Sequence, residues 1–282
     1  MNNYDLIKMI GQGSYGDVNL VSCHNDPKLY VMKVIRNANE EEGKEAMKEV
    51  NILETLDHPN IVKLKECFYQ NSGKTLCIVM EYAESGDLYQ QIQKAQKKRQ
   101  YISQSDILDW FVQLCLALKY LHEEKHILHR DLKPANVFLA HRARVLKLGD
   151  FGITKVLENT RAQAVTTIGT PYYFSPEICQ NQPYGVKSDV WATGCIVYEL
   201  MTLCVPFEAK SMAKLVQNIL HQKPASPNSR YYSKDFMSLL AAMLAKGPSR
   251  RPTVAQCLQT PVVRAHMAGF RERFAKFYAA PA

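Results

Sequence analysis

Residues 129–136 read His129-Arg130-Asp131-Leu132-Lys133-Pro134-Ala135-Asn136, and Asp150-Phe151-Gly152 begins nineteen residues after Asp131. An acid, a base and an amide within eight residues, with a second acid at that distance, fit one job: holding a metal–nucleotide and deprotonating a hydroxyl. Asp131 is placed to accept the hydroxyl proton, and Asn136 and Asp150 to hold Mg²⁺ ions. Lys133 is placed to neutralise charge on the moving phosphoryl group, because phosphoryl transfer is catalysed mostly by positioning and electrostatics. A lone His-Arg-Asp occurs by chance in a loop; the Asn at its offset and the later Asp-Phe-Gly argue against chance.

A glycine-rich stretch, Gly11-Gln12-Gly13-Ser14-Tyr15-Gly16-Asp17-Val18, comes after a strand expected over Tyr4 to Ile10. Glycines let backbone amides close over phosphates without Cβ clashes. The pattern alone also suits a dinucleotide site. The segment after Gly16, however, reads as a strand from Val18 to Cys23 rather than a helix, which opposes a dinucleotide site. No Gly-x-x-x-x-Gly-Lys-Ser/Thr is present, so a Walker-type loop is excluded.

These motifs resemble those of eukaryotic protein kinases over about residues 4–261, and Lys133-Pro134 resembles the Ser/Thr rather than the tyrosine kinases. The resemblance implies an α+β, bilobal protein kinase fold: a small β-rich lobe with one key helix over residues 1–82 and a large, mainly helical lobe over 83–261. It implies Mg²⁺/ATP as cofactor, with Mn²⁺ as a possible substitute, and protein substrates. Lys33, in Tyr30-Val31-Met32-Lys33-Val34, stands where kinases bind the α- and β-phosphates. Glu49, on a helix expected over 39–56, is the chosen partner of Lys33; Glu42, Glu45 and Glu54 are rivals. Gly11, Gly13 and Gly16 would cover the phosphates. Ile10, Val18 and Val31 would lie above adenine and Phe138 below it. Met80 falls at the gatekeeper position, and the Glu81 carbonyl and Ala83 amide would pair with the adenine edge. Asp87 either approaches the ribose or caps the next helix. Leu53, Leu64, His129 and Phe151 would stack as a spine between the lobes.

Further along, Ser105 to Glu124 carries so many apolar residues that it reads as one mostly buried helix. Val137-Phe138-Leu139 and Val145-Leu146-Lys147-Leu148 read as short strands. Arg130, if buried, needs an anion, and a phosphothreonine would supply it. Thr166 is the expected activating site and Thr167 its close alternative, reached by an upstream kinase or by trans-autophosphorylation. Thr170 is expected to hydrogen-bond Asp131 and Lys133, and Lys155 to be a second phosphate partner. Asp189 is expected to accept catalytic-loop amides, and Glu177 to pair with Arg251. Ile153, β-branched, implies by resemblance a preference for threonine as acceptor.

Several stretches resemble the NIMA-related (Nek) family: Ile78-Val79-Met80-Glu81-Tyr82, Gly86-Asp87-Leu88-Tyr89, and Gly169-Thr170-Pro171-Tyr172-Tyr173-Phe174-Ser175-Pro176-Glu177. The chain departs from that pattern at Phe174, where Nek proteins usually carry Met, and at Thr154-Lys155. The resemblance implies cell-cycle, microtubule or ciliary roles.

The 282 residues suffice for two lobes. No run of about 18 apolar residues exists, and no signal-peptide pattern opens the chain. An intracellular, cytoplasmic protein is expected, with the cytoskeleton, cilium or nucleus as possible sites. The eight cysteines form no Cys-x-x-Cys pair and read as reduced thiols. Net charge is +8, but Lys and Arg are dispersed, so no specific nucleic-acid partner is expected. The densest group, Lys94 to Arg99, reads as a solvated helix end or loop, with a docking patch as the alternative. Residues 262–282 read as a basic, aromatic, amphipathic helix that packs on the large lobe or binds a partner or an anionic surface.

Overall fold

The computed structural model describes residues 3–13, 16–36, 40–70, 75–150 and 171–278, the side chains at 40–45 and 49 excepted. Five antiparallel strands come first: β1 Tyr4–Gly13, β2 Gly16–Cys23, β3 Asp26–Arg36, β4 Leu64–Gln70 and β5 Thr75–Glu81, in the order β1-β2-β3-β5-β4. Helix α1, Glu40–Glu54, lies between β3 and β4 in sequence. Side chains alternate across a strand. Met32 and Val34 therefore join Tyr4, Val21, Tyr30, Cys77 and Val79 on one face. Ile35 joins Leu76 and Ile78 on the other, against Ala46 and Val50 of α1. Lys33, two residues before Ile35, shares the face that α1 covers.

The β1–β2 turn requires its third glycine for a reason other than phosphate access. Gly16 has φ +152°, and a Cβ there would lie 1.9 Å from the Val34 carbonyl oxygen of β3. Strand β4 is an edge strand that the sequence pattern does not reveal. A bulge between Leu64 and Glu66 breaks its alternation, and its side chains are half-buried or exposed.

From α2 (Leu88–Lys98) onward the chain is mainly helical, so the α+β arrangement of a sheet region and a helical region is as expected. Helix α3, Gln104–Lys119, is buried on most of its surface. It does not continue regularly to Glu124; a π-helical turn covers Tyr120–Glu124. The Tyr120 hydroxyl accepts the Asp57 N–H at 3.0 Å, tying this turn to the end of α1. Strands β6 (Val137–Ala140) and β7 (Val145–Leu148) pair antiparallel. After them come α4 (Pro176–Cys179), α5 (Val186–Thr202), α6 (Met212–His221), α7 (Lys234–Met243), α8 (Val254–Leu258) and α9 (Pro261–Tyr278). The helical core is built on α3 and α5, with Trp191, Phe111 and Phe236 among its largest buried side chains. Helix α9 packs on it through Val263, Phe270 and Phe274, the first of the two placements expected for the tail. No helix among the described residues is long and apolar enough to cross a membrane.

Candidate functional site

The loop before β6 brings Asp131, Lys133 and Asn136 into one hydrogen-bonded group. Lys133 Nζ donates to Asp131 Oδ2 at 2.8 Å. Asn136 Nδ2 donates to the same oxygen at 2.9 Å and to the Asp131 carbonyl at 2.8 Å. Those bonds fix the Asn136 amide and turn its oxygen away from the Asp131 carboxylate. Its position depends on local structure: Pro134 opens a single 3₁₀ turn that ends at Asn136, and the Asn136 carbonyl accepts the Gly149 N–H at 3.1 Å. Asp150, the next residue, lies 4.0 Å from Lys33 Nζ of β3. The Lys33 side chain is 15% exposed and that of Asp150 57% exposed, so the pair is partly solvated rather than in a core.

Behind this group stands Asp189, wholly buried on α5. Its Oδ1 accepts the Arg130 N–H at 3.2 Å and the Tyr184 hydroxyl at 2.6 Å. Its Oδ2 accepts the His129 N–H at 3.1 Å and His122 Nε2–H at 2.7 Å. Burial alone would raise the Asp189 carboxyl, but the bonds and charge of His122, with Tyr184, hold it below the usual value. Arg130 and Asp150 both occupy the left-handed region, at φ 69° and 56°. Such backbone costs on the order of 1 kcal/mol or more per non-glycine residue and persists only where surroundings enforce it. For Arg130 the enforcing bond is the one to Asp189. Arg130 itself is half-buried, not buried as its motif suggested, so its desolvation penalty is the smaller one of a partly wet site. His129 is wholly buried and its Nε2–H donates to the Gly149 carbonyl at 3.2 Å. Burial lowers its pKa, so it serves as a neutral donor that joins this loop to the residue before Asp150.

Strand register distributes the expected nucleotide-binding residues. Val18 lies opposite Lys33, and Lys33 opposite Ile78; Val31 lies opposite Met80, and Gly11 opposite Val18. Ile10 is exposed, whereas Val18, Val31, Met80, Glu81, Ala83 and Phe138 are half-buried. Phe138 and Val62 pack so close to Gly149 that a Cβ there would meet each at 3.0 Å. Residues 85–87 pair with β6: the Ser85 N–H donates to the Leu139 carbonyl and the Leu139 N–H to the Gly86 carbonyl, both at 2.8 Å. Asp87 caps α2, accepting the Gln90 N–H on Oδ1 at 2.8 Å. Glu49 lies in α1, but its side chain, like those of Glu42 and Glu45, is outside the described residues. So are Ser14, Tyr15, Phe151, Gly152, Ile153, Thr154, Lys155, Thr166, Thr167 and Thr170. Leu53 is buried and Leu64 half-buried.

Glu177 and Arg251 meet as expected. Arg251 Nη1 and Nη2 each donate to one Glu177 oxygen at 2.7 Å. Three side chains that sequence reasoning missed also organise the site. Lys147 reaches the Glu81 carboxylate at 2.7 Å and so joins β7 to β5. His122 and Tyr184 complete the hydrogen bonding of Asp189; both stand in polar stretches of sequence, which gave no signal.

Residues 4–263 match the model of the protein kinase domain family. The chain is 46% identical to the mouse serine/threonine-protein kinase Nek4 over 271 residues, which is 95% of this chain and 34% of that protein. It is 47% identical to mouse Nek1 over 263 residues, 92% of this chain and 21% of Nek1. It is 44% identical to human Nek5 over 265 residues, 93% of this chain and 36% of Nek5. The chain thus spans about a third or less of the length of these relatives. With the family's catalytic loop hydrogen-bonded together and its β3 lysine facing Asp150, the chain belongs to the protein kinase family and is similar to the Nek serine/threonine kinases within it.

Proposed function

We propose that this chain is a Mg²⁺/ATP-dependent protein serine/threonine kinase. The observation that supports it most directly is the hydrogen-bonded group of Asp131, Lys133 and Asn136, with Lys33 Nζ 4.0 Å from Asp150. In this reading residues 1–82 form the small lobe, 83–261 the large lobe, and 262–282 a tail.

Asp131 accepts the proton of the incoming Ser or Thr hydroxyl as that oxygen bonds to the γ-phosphorus; the bond from the γ-phosphorus to the bridging oxygen breaks, and ADP leaves. Lys133, already charged beside Asp131, neutralises the transferring group. Lys33 binds the α- and β-phosphates and Glu49 holds Lys33 in place. The Asp150 carboxylate and the Asn136 amide oxygen are hard oxygen donors. These two side chains would hold Mg²⁺, a hard cation that prefers such donors. The ion would supply neutralisation of phosphate charge. Amides of Gly11, Gly13 and Gly16 cover the phosphates. Adenine lies between Ile10, Val18 and Val31 above and Phe138 below, beside Met80, with the Glu81 carbonyl and Ala83 amide at its edge. Asp87, besides capping α2, approaches the ribose.

Phosphorylation of Thr166, or of Thr167, by an upstream kinase or in trans activates the enzyme, with Arg130 as an anion partner. Ile153 favours threonine acceptors. The setting is intracellular; a cell-cycle or microtubule role is carried by the sequence resemblance alone. The test is transfer from ATP to a generic basic protein in Mg²⁺, with phosphosites mapped on the enzyme. Transfer that falls at least about a hundredfold in Lys33→Met, with phosphate at Thr166 or Thr167, supports the reading. Nucleotide binding without transfer, even after treatment with an activating kinase, overturns it.

A further inference from the structure

Asn60 lies in the joint between α1 and β4 and is wholly buried. Every polar atom of its side chain has a role. Its Nδ2 donates to Gln113 Oε1 and to the Leu146 carbonyl, each at 3.0 Å. Its Oδ1 accepts the hydroxyl of Tyr278, the last residue of α9, at 2.7 Å. Its backbone carbonyl accepts the Leu148 N–H at 2.8 Å, and the Val62 N–H donates to the Leu148 carbonyl at 2.9 Å. Gln113 is buried as well; its Oε1 also accepts the Leu146 N–H at 2.9 Å, and its Nε2 donates to the Arg144 carbonyl at 2.8 Å. The end of α1, the strand that delivers Asp150, and the end of α9 therefore meet at one amide.

Most of α9 lies beyond the residues of the kinase match. Phe270 and Phe274 stack at 4.4 Å between centroids and the Tyr278 ring packs on Phe270 at 6.1 Å, ring contacts that a phenylalanine at 278 would keep. The hydroxyl thus adds something that packing does not. It gives the buried Asn60 oxygen its donor, and an amide without that donor loses the orientation that grips Gln113 and Leu146. Phe277, tilted against the His141 ring at 4.9 Å between centroids, sets the helix end against the β6–β7 turn. Burial raises the Tyr278 phenol, which keeps it protonated and donating.

We propose that Tyr278 is a positioning residue: through Asn60 it holds the α1–β4 joint to β7 and so fixes Asp150 for nucleotide binding. The effect on turnover rests on the kinase reading above; the effect on the joint does not. The experiment uses the full chain with Tyr278→Phe, measuring KM for ATP, kcat, and hydrogen exchange at the Val62 and Leu148 amides. Val263→Ala, which removes buried packing from the same helix, serves as a packing control, and a double-mutant cycle with Asn60→Ala tests the route. Tyr278→Phe is expected to raise KM for ATP about three- to tenfold, the worth of one hydrogen bond, while kcat stays within about twofold. Faster exchange should be confined to 57–62 and 145–150. In the Asn60→Ala background Tyr278→Phe should add nothing. Unchanged KM and exchange overturn the proposal. So does uniform loosening in which kcat and KM move together, or a Val263→Ala effect of equal size. If the wild type transfers no phosphate, the kinase reading falls, and the exchange and cycle data still decide the joint: a local change supports it and none overturns it.

Discussion

Replacing Glu177 by glutamine should cost this chain a large share of its stability. Arg251 is 1% exposed and Glu177 4%. Arg251 has five N–H donors, and all five are used. Two go to the Glu177 oxygens at 2.7 Å. The others go to the carbonyls of Lys187 at 2.8 Å, Lys246 at 3.0 Å and Ala245 at 2.8 Å. Its guanidinium carbon lies 4.9 Å from the centre of the Trp191 ring. Ser188 Oγ donates to Glu177 Oε1 at 2.6 Å. Glutamine keeps the shape but turns an NH₂ toward the guanidinium and leaves a buried cation without its counter-charge. Breaking a buried pair from one side costs roughly 3–5 kcal/mol. Against a typical total of about 5–15 kcal/mol, that is about a fifth or more. Tm should fall by about 10 °C. Urea unfolding followed by tryptophan fluorescence reads it directly, since Trp191 adjoins the pair. Replacing both partners by apolar residues is often neutral. Here it should not be, because three carbonyls lose their donor at about 1–3 kcal/mol each. A loss below about 1 kcal/mol in Glu177→Gln would refute the reasoning.

The same geometry yields further expected outcomes. Burial, aided by the Lys147 charge, lowers the His58 pKa to about 4 from an ordinary 6.5. The unfolded chain then binds more protons between those values, so this contribution is complete above pH 6.5 and is lost as pH falls toward 4. His58→Gln should flatten the stability–pH curve in that window by up to about 3 kcal/mol, discounted for partial exposure; an unchanged slope in urea titrations would contradict it. Asp189→Asn presents an NH₂ to two of the four donors that Asp189 accepts, and should cost roughly 3 kcal/mol or more by denaturation, with kcat lowered. A loss confined to kcat, with stability intact, would show that the loop is held by other contacts. A peptide pair differing only in Ser or Thr at the acceptor should favour Thr; equal turnover or a Ser preference would remove Ile153 as its determinant.

What could be read from the sequence divides by the range of the interactions. Asp131, Lys133 and Asn136 lie within one loop, so their spacing already determines that they meet. Lys33 was legible because a lone lysine in an apolar strand must face something, and the register places it on the face covered by α1. Glu177 and Arg251 are 74 residues apart, and only resemblance paired them. Strand β4 was missed because its bulge destroys the period-2 pattern on which strand reading depends. Asn60 gave no signal because its partners, Gln113, Leu146 and Tyr278, come from three distant elements. The glycine at 16 was identified from phosphate chemistry, yet the Val34 carbonyl of the neighbouring strand requires it as well.

The most direct test of the account is phosphoryl transfer by Asp131→Asn, compared with wild type at saturating Mg²⁺/ATP and with nucleotide affinity measured in parallel. Loss of the proton acceptor should lower kcat by about 10²–10⁴-fold. Nucleotide affinity should stay near wild type, because Lys33 and Asp150 are untouched. Transfer at the wild-type rate in Asp131→Asn would contradict the assignment of the chemistry to this loop.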